Sequence, residues 1–280
     1  MNLKPKSKGI FFILCSGFCF ALMSFCVRMS GNLPTMQKAF FRNAIAFLVA
    51  VAALVRSGER QLFPRGSRLT LLMRSICGSV GLICNFYAID RLNISDANML
   101  NKLSPFFAIL ASWLILKEKA SIREWLTVFI AFVGALLIIK PSMELTSVYA
   151  VVGALGGLGA GIAYTFVRKL GQQGVKGPVV VAFFSGFSCL IILPFLIMQY
   201  RPMELWQWGW LLLTGIAAAG GQLCITKAYT YAPAREIAVY DYVQVIFAAL
   251  LGYFFLNQIP DGYSILGYVI IISAAILKFL

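Results

Sequence analysis

The chain has 280 residues, 60% of them hydrophobic and only 12% charged, with a mean hydropathy of +0.85. A water-soluble domain of this length cannot cover so much apolar surface, which excludes the soluble globular classes and makes the bilayer the solvent. The formal charge of +14 lies mostly between apolar runs, so it reports topology and contact with anionic head groups rather than nucleic acid.

Apolar runs of about 20 residues predict ten spans. They cover 9–28, 35–56, 69–90, 95–116, 122–140, 147–168, 178–199, 206–230, 236–256 and 263–280. Their lengths suit helices, and none alternates as a β-barrel strand does. The first run follows Lys4, Lys6 and Lys8, as in a secretory signal. It is nevertheless as long as a span, and no small-x-small cleavage site follows it, so it reads as the first transmembrane helix. The sixth span carries "GALGGLGAGIAY" (Gly153–Tyr164), which lacks the phosphate-loop pattern and a preceding strand; close helix packing is the expectation. The eighth opens on Trp206, Trp208 and Trp210, an interfacial belt.

Seven cysteines all fall in apolar runs, with no C-x-x-C, and read as small hydrophobes. The chain has no histidine, so no His metal site or proton relay is expected, and no metal, cofactor or catalytic group is assigned. With the amino terminus inside, the inner segments hold sixteen Lys and Arg, Arg74 and Arg168 among them. The outer segments hold four: Arg28, Arg91, Lys140 and Arg201. That bias predicts a multi-pass protein of a bacterial-type plasma membrane with both termini cytoplasmic.

Displaced by 140 positions, the chain matches itself without a gap from Gly81 onward. "GLIC" (Gly81–Cys84) falls on "GQLC" (Gly221–Cys224), and "FFAIL" (Phe106–Leu110) on "IFAAL" (Ile246–Leu250). Five helices are an odd number, so the second copy enters the membrane from the opposite side. The expectation is an all-α integral membrane protein: ten transmembrane helices as two inverted five-helix repeats, 1–140 and 141–280. Many secondary transporters are built this way.

Two segments carry a family resemblance: "SPFFAILASWLILKEKASIREWLTVFIAFVGALLIIKP" (Ser104–Pro141) and "VQVIFAALLGYFFLNQIPDGYSILGYVIIISAAIL" (Val243–Leu277). With the ten-helix plan they resemble the drug/metabolite transporter superfamily, specifically its EamA-type branch. The pieces "AFFRNAIAF" (Ala39–Phe47) and "AVYDYVQVIFAALLGYFF" are similar to the branch that contains S-adenosylmethionine uptake carriers. The family often places Glu at the end of the fourth and ninth helices; Glu118 keeps it, while Gln258 replaces it. The first and sixth spans hold no acidic residue, unlike small relatives that exchange drugs for protons.

Ionisable residues inside spans are costly and mark cavities or partners. They are Arg42, Lys102, Lys227 and Asp241. Counted from the turns, Lys227 and Asp241 lie about 10 Å from the inner side on consecutive helices, which makes them a candidate pair. Arg42 and Lys102 lie about two turns from the outer side. The repeat relation puts Tyr87 opposite Lys227, and Asn101 opposite Asp241. Asp241, Gln244 and Ala248 form one stripe. Alternatives stay open: Lys227 snorkelling to the interface, Arg42 reaching head groups, and Asn85, Gln222 and Gln244 bonding neighbouring helices. Tyr164 reads as core packing. The candidate substrate-binding set is Arg42, Tyr87, Asn98, Asn101, Lys102, Gln222, Lys227, Tyr240, Asp241 and Gln244.

The function expected is alternating-access transport of a small metabolite. Three intramembrane cations against one anion favour an anionic or zwitterionic solute, with a carboxylate near Arg42 or Lys102 and any amine near Asp241 and Tyr240. A multidrug or amine exporter of the same fold, or a non-transporting scaffold or channel, is the alternative. With no H-E-x-x-H or G-x-S-x-G motif, an enzyme is not expected. The expected partners are the metabolite and the lipid bilayer, and the chain is a monomer or homodimer.

Overall fold

The computed structural model describes residues 5–57, 64, 66–91, 98, 100–139, 148–257 and 259–279. Every regular element among them is helical. In chain order they are α1 (Pro5–Met29), α2 (Thr35–Ser57), α3 (Ser67–Arg91), α4 (Ser104–Leu116), α5 (Ile122–Ile139), α6 (Val148–Gln172), α7 (Gly177–Gln199) and α8 (Leu205–Tyr231). Then come the short α9 (Ala234–Ile237), a 3₁₀ segment (Ala238–Tyr242), α10 (Val243–Leu256) and α11 (Gly262–Phe279). Eight helical runs among the described residues are long and apolar enough to span a bilayer, α9 through α10 counting as one; α4 and α11 are shorter apolar helices. Exposed Leu48, Val55, Leu190, Ile197, Phe254 and Phe255 give the outer surface the apolar character that lipid demands. Trp206 and Trp208 are likewise exposed at the start of α8.

The two halves share local detail. The helix before each final hairpin ends on a left-handed residue, Lys117 (φ 59°) and Asn257 (φ 52°). Their N–H groups donate to Ser112 and Gly252 oxygens respectively. This cap satisfies carbonyls that the helix end would otherwise orphan. The helices also pair reciprocally between halves: α1 packs on α8 and α3 on α6, α2 on α7, and α5 on α11. The glycine run of α6 allows the α3 contact. A Cβ on Gly159 would lie 2.7 Å from Gly81 Cα and 2.8 Å from the Cys77 oxygen.

One face gathers both chain ends. Lys6 Nζ donates to the Lys278 oxygen at 3.4 Å, and Lys278 pairs with Glu124 at the start of α5 at 2.9 Å. On the same face Arg168, at the end of α6, pairs with Glu118 at 3.2 Å and donates to the Thr230 oxygen at 2.8 Å. Ser112 Oγ donates to the other Glu118 oxygen at 2.8 Å. Arg235 donates to the Lys119 carbonyl. Beneath these bonds lies the largest buried cluster, with Ile10, Ile13, Leu71, Val167, Leu170, Val179, Ile225 and Tyr229. On the opposite face Gln37 Nε2 donates to the Arg201 oxygen at 2.8 Å, but the buried cluster there is small: Met36, Ala39 and Ile192. Among the described residues the larger buried cluster thus lies toward the chain-end face.

Candidate functional site

The fourth and ninth spans are not continuous helices. After the helical Leu100 and Asn101 the chain turns at Lys102 and Leu103 before α4 begins. Pro105, in the first turn of α4, explains the break: it has no N–H to give the Asn101 carbonyl four residues back. In the second half the break is the 3₁₀ segment, which rises faster and turns tighter than an α-helix. It swings Asp241 off the line that a regular helix would give.

The two breaks meet. Lys102 Nζ lies 3.1 Å from Asp241 Oδ2, 2.8 Å from Gln244 Oε1 and 3.3 Å from the Asp241 carbonyl oxygen. These three acceptors match the three N–H donors of an ammonium, so the buried charge is fully satisfied. Tyr242, itself buried, donates its hydroxyl to the Lys102 oxygen at 2.9 Å. This corrects the expected Lys227–Asp241 pair. Lys227 is exposed, its Nζ 5.0 Å from the centroid of the Phe12 ring, which is the snorkelling alternative.

Above the breaks lies a cavity of about 170 Å³ between the halves. Its polar wall is Arg42, Arg74, Asn85, Asn101, Tyr164, Gln222 and Gln244; Phe20, Met23, Leu82, Phe86 and Phe184 supply apolar wall. Arg42 is 7% exposed; its Nε donates to Met23 Sδ at 3.1 Å, and its Nη1 has no partner among the described residues. Arg74 is 2% exposed. Its Nη2 donates to Gln222 Oε1 at 3.3 Å, its guanidinium stacks 4.1 Å from the Phe184 centroid, and its Nε is without a partner among the described residues. Gly78 makes this possible, because a Cβ there would overlap Arg74 Nη1. Tyr164 stacks on Tyr229 at 5.1 Å, which joins the cavity floor to the packed cluster of the chain-end face.

Of the residues expected from sequence, Arg42, Asn101, Gln222 and Gln244 line this cavity, and Lys102 and Asp241 brace its base through Gln244. Tyr240 is buried but not among the lining residues. Tyr87 and Asn98 are exposed, and the Tyr87 ring lies 6.0 Å from that of Tyr149. Gln258 lies outside the described residues. Sequence alone assigns two of the lining residues elsewhere: Arg74 to the interfacial charges, and Tyr164 to the core. The signal available for Arg74 is its place seven residues inside α3, four residues before a glycine. No cluster of three or more His, Cys, Asp or Glu suited to a metal occurs among the described residues.

Comparison with known proteins agrees with this architecture. The sequence profile of the EamA-like transporter family matches residues 7–140 and again 148–280. The pseudopaline exporter CntI of Pseudomonas aeruginosa is 34% identical over 99% of this chain and 97% of its own. A riboflavin transporter of Vibrio cholerae is 27% identical, covering 95% of this chain and 90% of that protein. Human solute carrier family 35 member G1 is 24% identical over 95% of this chain and 77% of its own. One solved crystal structure superposes with a TM-score of 0.82 over 98% of this chain and 97% of the other, at 14% identity, which shows the fold.

Proposed function

The chain belongs to the EamA-like transporter family, a family of membrane transporters and not of enzymes, and on that premise we propose that it carries a small anionic or zwitterionic metabolite by alternating access. The observation that carries this reading is the cavity itself. It lies where the halves meet, holds two buried arginines, and rests on an ion pair that joins the broken helices. The halves 1–140 and 141–280 act as inverted repeats in this account. The reciprocal helix pairing and the twofold family match support it.

The buried cluster beneath the chain-end face and the bonds from Arg168 to Glu118 and Thr230 support reading that face as the closed gate. The excess of Lys and Arg in the segments at that face supports a cytoplasmic position for it, in a bacterial inner membrane. Relatives that carry pseudopaline and riboflavin support an organic metabolite as the class of cargo. An amine or lipophilic cation fits less well, because the described lining holds arginines and no Asp or Glu. The test is exchange by purified protein in liposomes preloaded with candidate metabolites. A carrier gives saturable uptake that internal solute accelerates; flux linear in concentration indicates a channel and contradicts the proposal.

A further inference from the structure

We propose that the cavity binds a compact organic dianion, with one anionic group on Arg42 and the other on Arg74. This deepens the transport reading, and depends on it only for translocation of the bound solute. Arg42 lies seven residues into α2 from one face, and Arg74 seven residues into α3 from the other. Each α-carbon is thus about 10 Å inside its own face, and both side chains converge on one cavity. Each keeps a buried guanidinium nitrogen without a hydrogen-bond partner among the described residues.

The charge balance decides the ligand. Lys102 is neutralised by Asp241, and Lys227 stands outside the cavity. The described lining has no carboxylate, so among the described residues its two positive charges have no counter-charge. Burying two such charges is costly until a counter-charge arrives. A single carboxylate placed on one arginine leaves the other bare. Two groups at the ends of one molecule satisfy both, and planar guanidinium forks suit carboxylates and phosphates alike. The space of about 170 Å³ is small, which suits a compact diacid. The apolar side of the cavity, Phe20 and Phe86 among it, accommodates the methylenes between them.

The test is binding to the protein in nanodiscs, by thermal shift and calorimetry. The probes are succinate, glutarate, adipate and glycerol 3-phosphate, with butyrate and succinamide as controls of similar shape. The dianions are expected to raise the apparent melting temperature and to bind at least about tenfold tighter than butyrate; succinamide is expected to do nothing. The preferred dianion distinguishes a dicarboxylate from a phosphate monoester, and either supports the proposal. Arg42→Gln and Arg74→Gln should each bring dianion affinity down to that of butyrate. If either variant fails to fold, the wild-type series still decides. Equal affinity for succinate, butyrate and succinamide overturns the proposal, as does failure of every dianion to bind at millimolar concentration. A stabilising neutral or cationic solute in that second case leaves the transport reading standing and removes only the dianion.

Discussion

Lys102 Nζ stands 3.1 Å from Asp241 Oδ2, and through that contact the helix break of one half is fastened to the helix break of the other. Both side chains are about nine-tenths shielded from solvent. Removing one partner of such a pair leaves a buried charge alone, at a cost of about 3–5 kcal/mol. Asp241→Asn and Lys102→Gln should therefore each lower thermal stability sharply. The double variant should lose much less than the sum of the two. Denaturation of the four proteins in one detergent gives the cycle; additive losses would show that the pair does not couple the halves.

The Tyr242 hydroxyl supports the same junction by donating to the Lys102 carbonyl at 2.9 Å. Tyr242→Phe keeps the packing and removes one buried bond. A loss of about 1–2 kcal/mol is expected. Unchanged stability would mean that the Lys102 carbonyl finds another donor.

Close approach of α3 and α6 sets a second requirement. Gly159→Ala would place a methyl 2.7 Å from Gly81 Cα, which only a shift of backbone relieves. Overpacking of this kind costs about 1–3 kcal/mol. Gly209→Ala is the control, since nothing lies within 4 Å of a Cβ there. That substitution should be neutral or slightly stabilising, because alanine favours a helix. The melting temperatures of the two variants check the contrast.

The bonds that Arg168 makes to Glu118 and Thr230 hold the chain-end face shut in this account. Arg168→Ala should shift the population toward opening at that face. Val167, 1% exposed, reports it when replaced by cysteine in a protein without its native cysteines. An impermeant maleimide on that side should label the Arg168→Ala background about fivefold faster or more, the shift that a coupling of ~1 kcal/mol gives. Equal rates would remove the gate.

Legibility in the sequence varies with the physics involved. Span positions come from bilayer thickness and apolar composition, and nine of the ten predicted segments correspond to helical runs with ends a few residues different; of the fourth, the described residues show α4 only from Ser104, after the turn at Lys102 and Leu103. Of the expected stripe of Asp241, Gln244 and Ala248, the first two bond one ammonium, although Asp241 sits in the 3₁₀ segment and not on the regular helix. The close packing expected of the glycine run is what α6 does against α3. Depth counted along straight helices fails. Pro105 and the 3₁₀ segment interrupt those helices, and the partner of Asp241 changes from a neighbour in sequence to Lys102 in the other half. Arg74 is misplaced by sequence for a related reason. Near the end of a span an arginine resembles an interfacial anchor; Gln222 and Phe184, both far away in sequence, keep it inside.

In the proposed mechanism solute crosses by way of the cavity between the halves. A single cysteine at Asn85, a lining residue, in a protein without its native cysteines probes this route. Exchange in liposomes is then measured before and after treatment with a bulky maleimide. Labelling should stop exchange, and saturating transported solute should protect the cysteine from labelling. Full labelling with exchange at the untreated rate would contradict it.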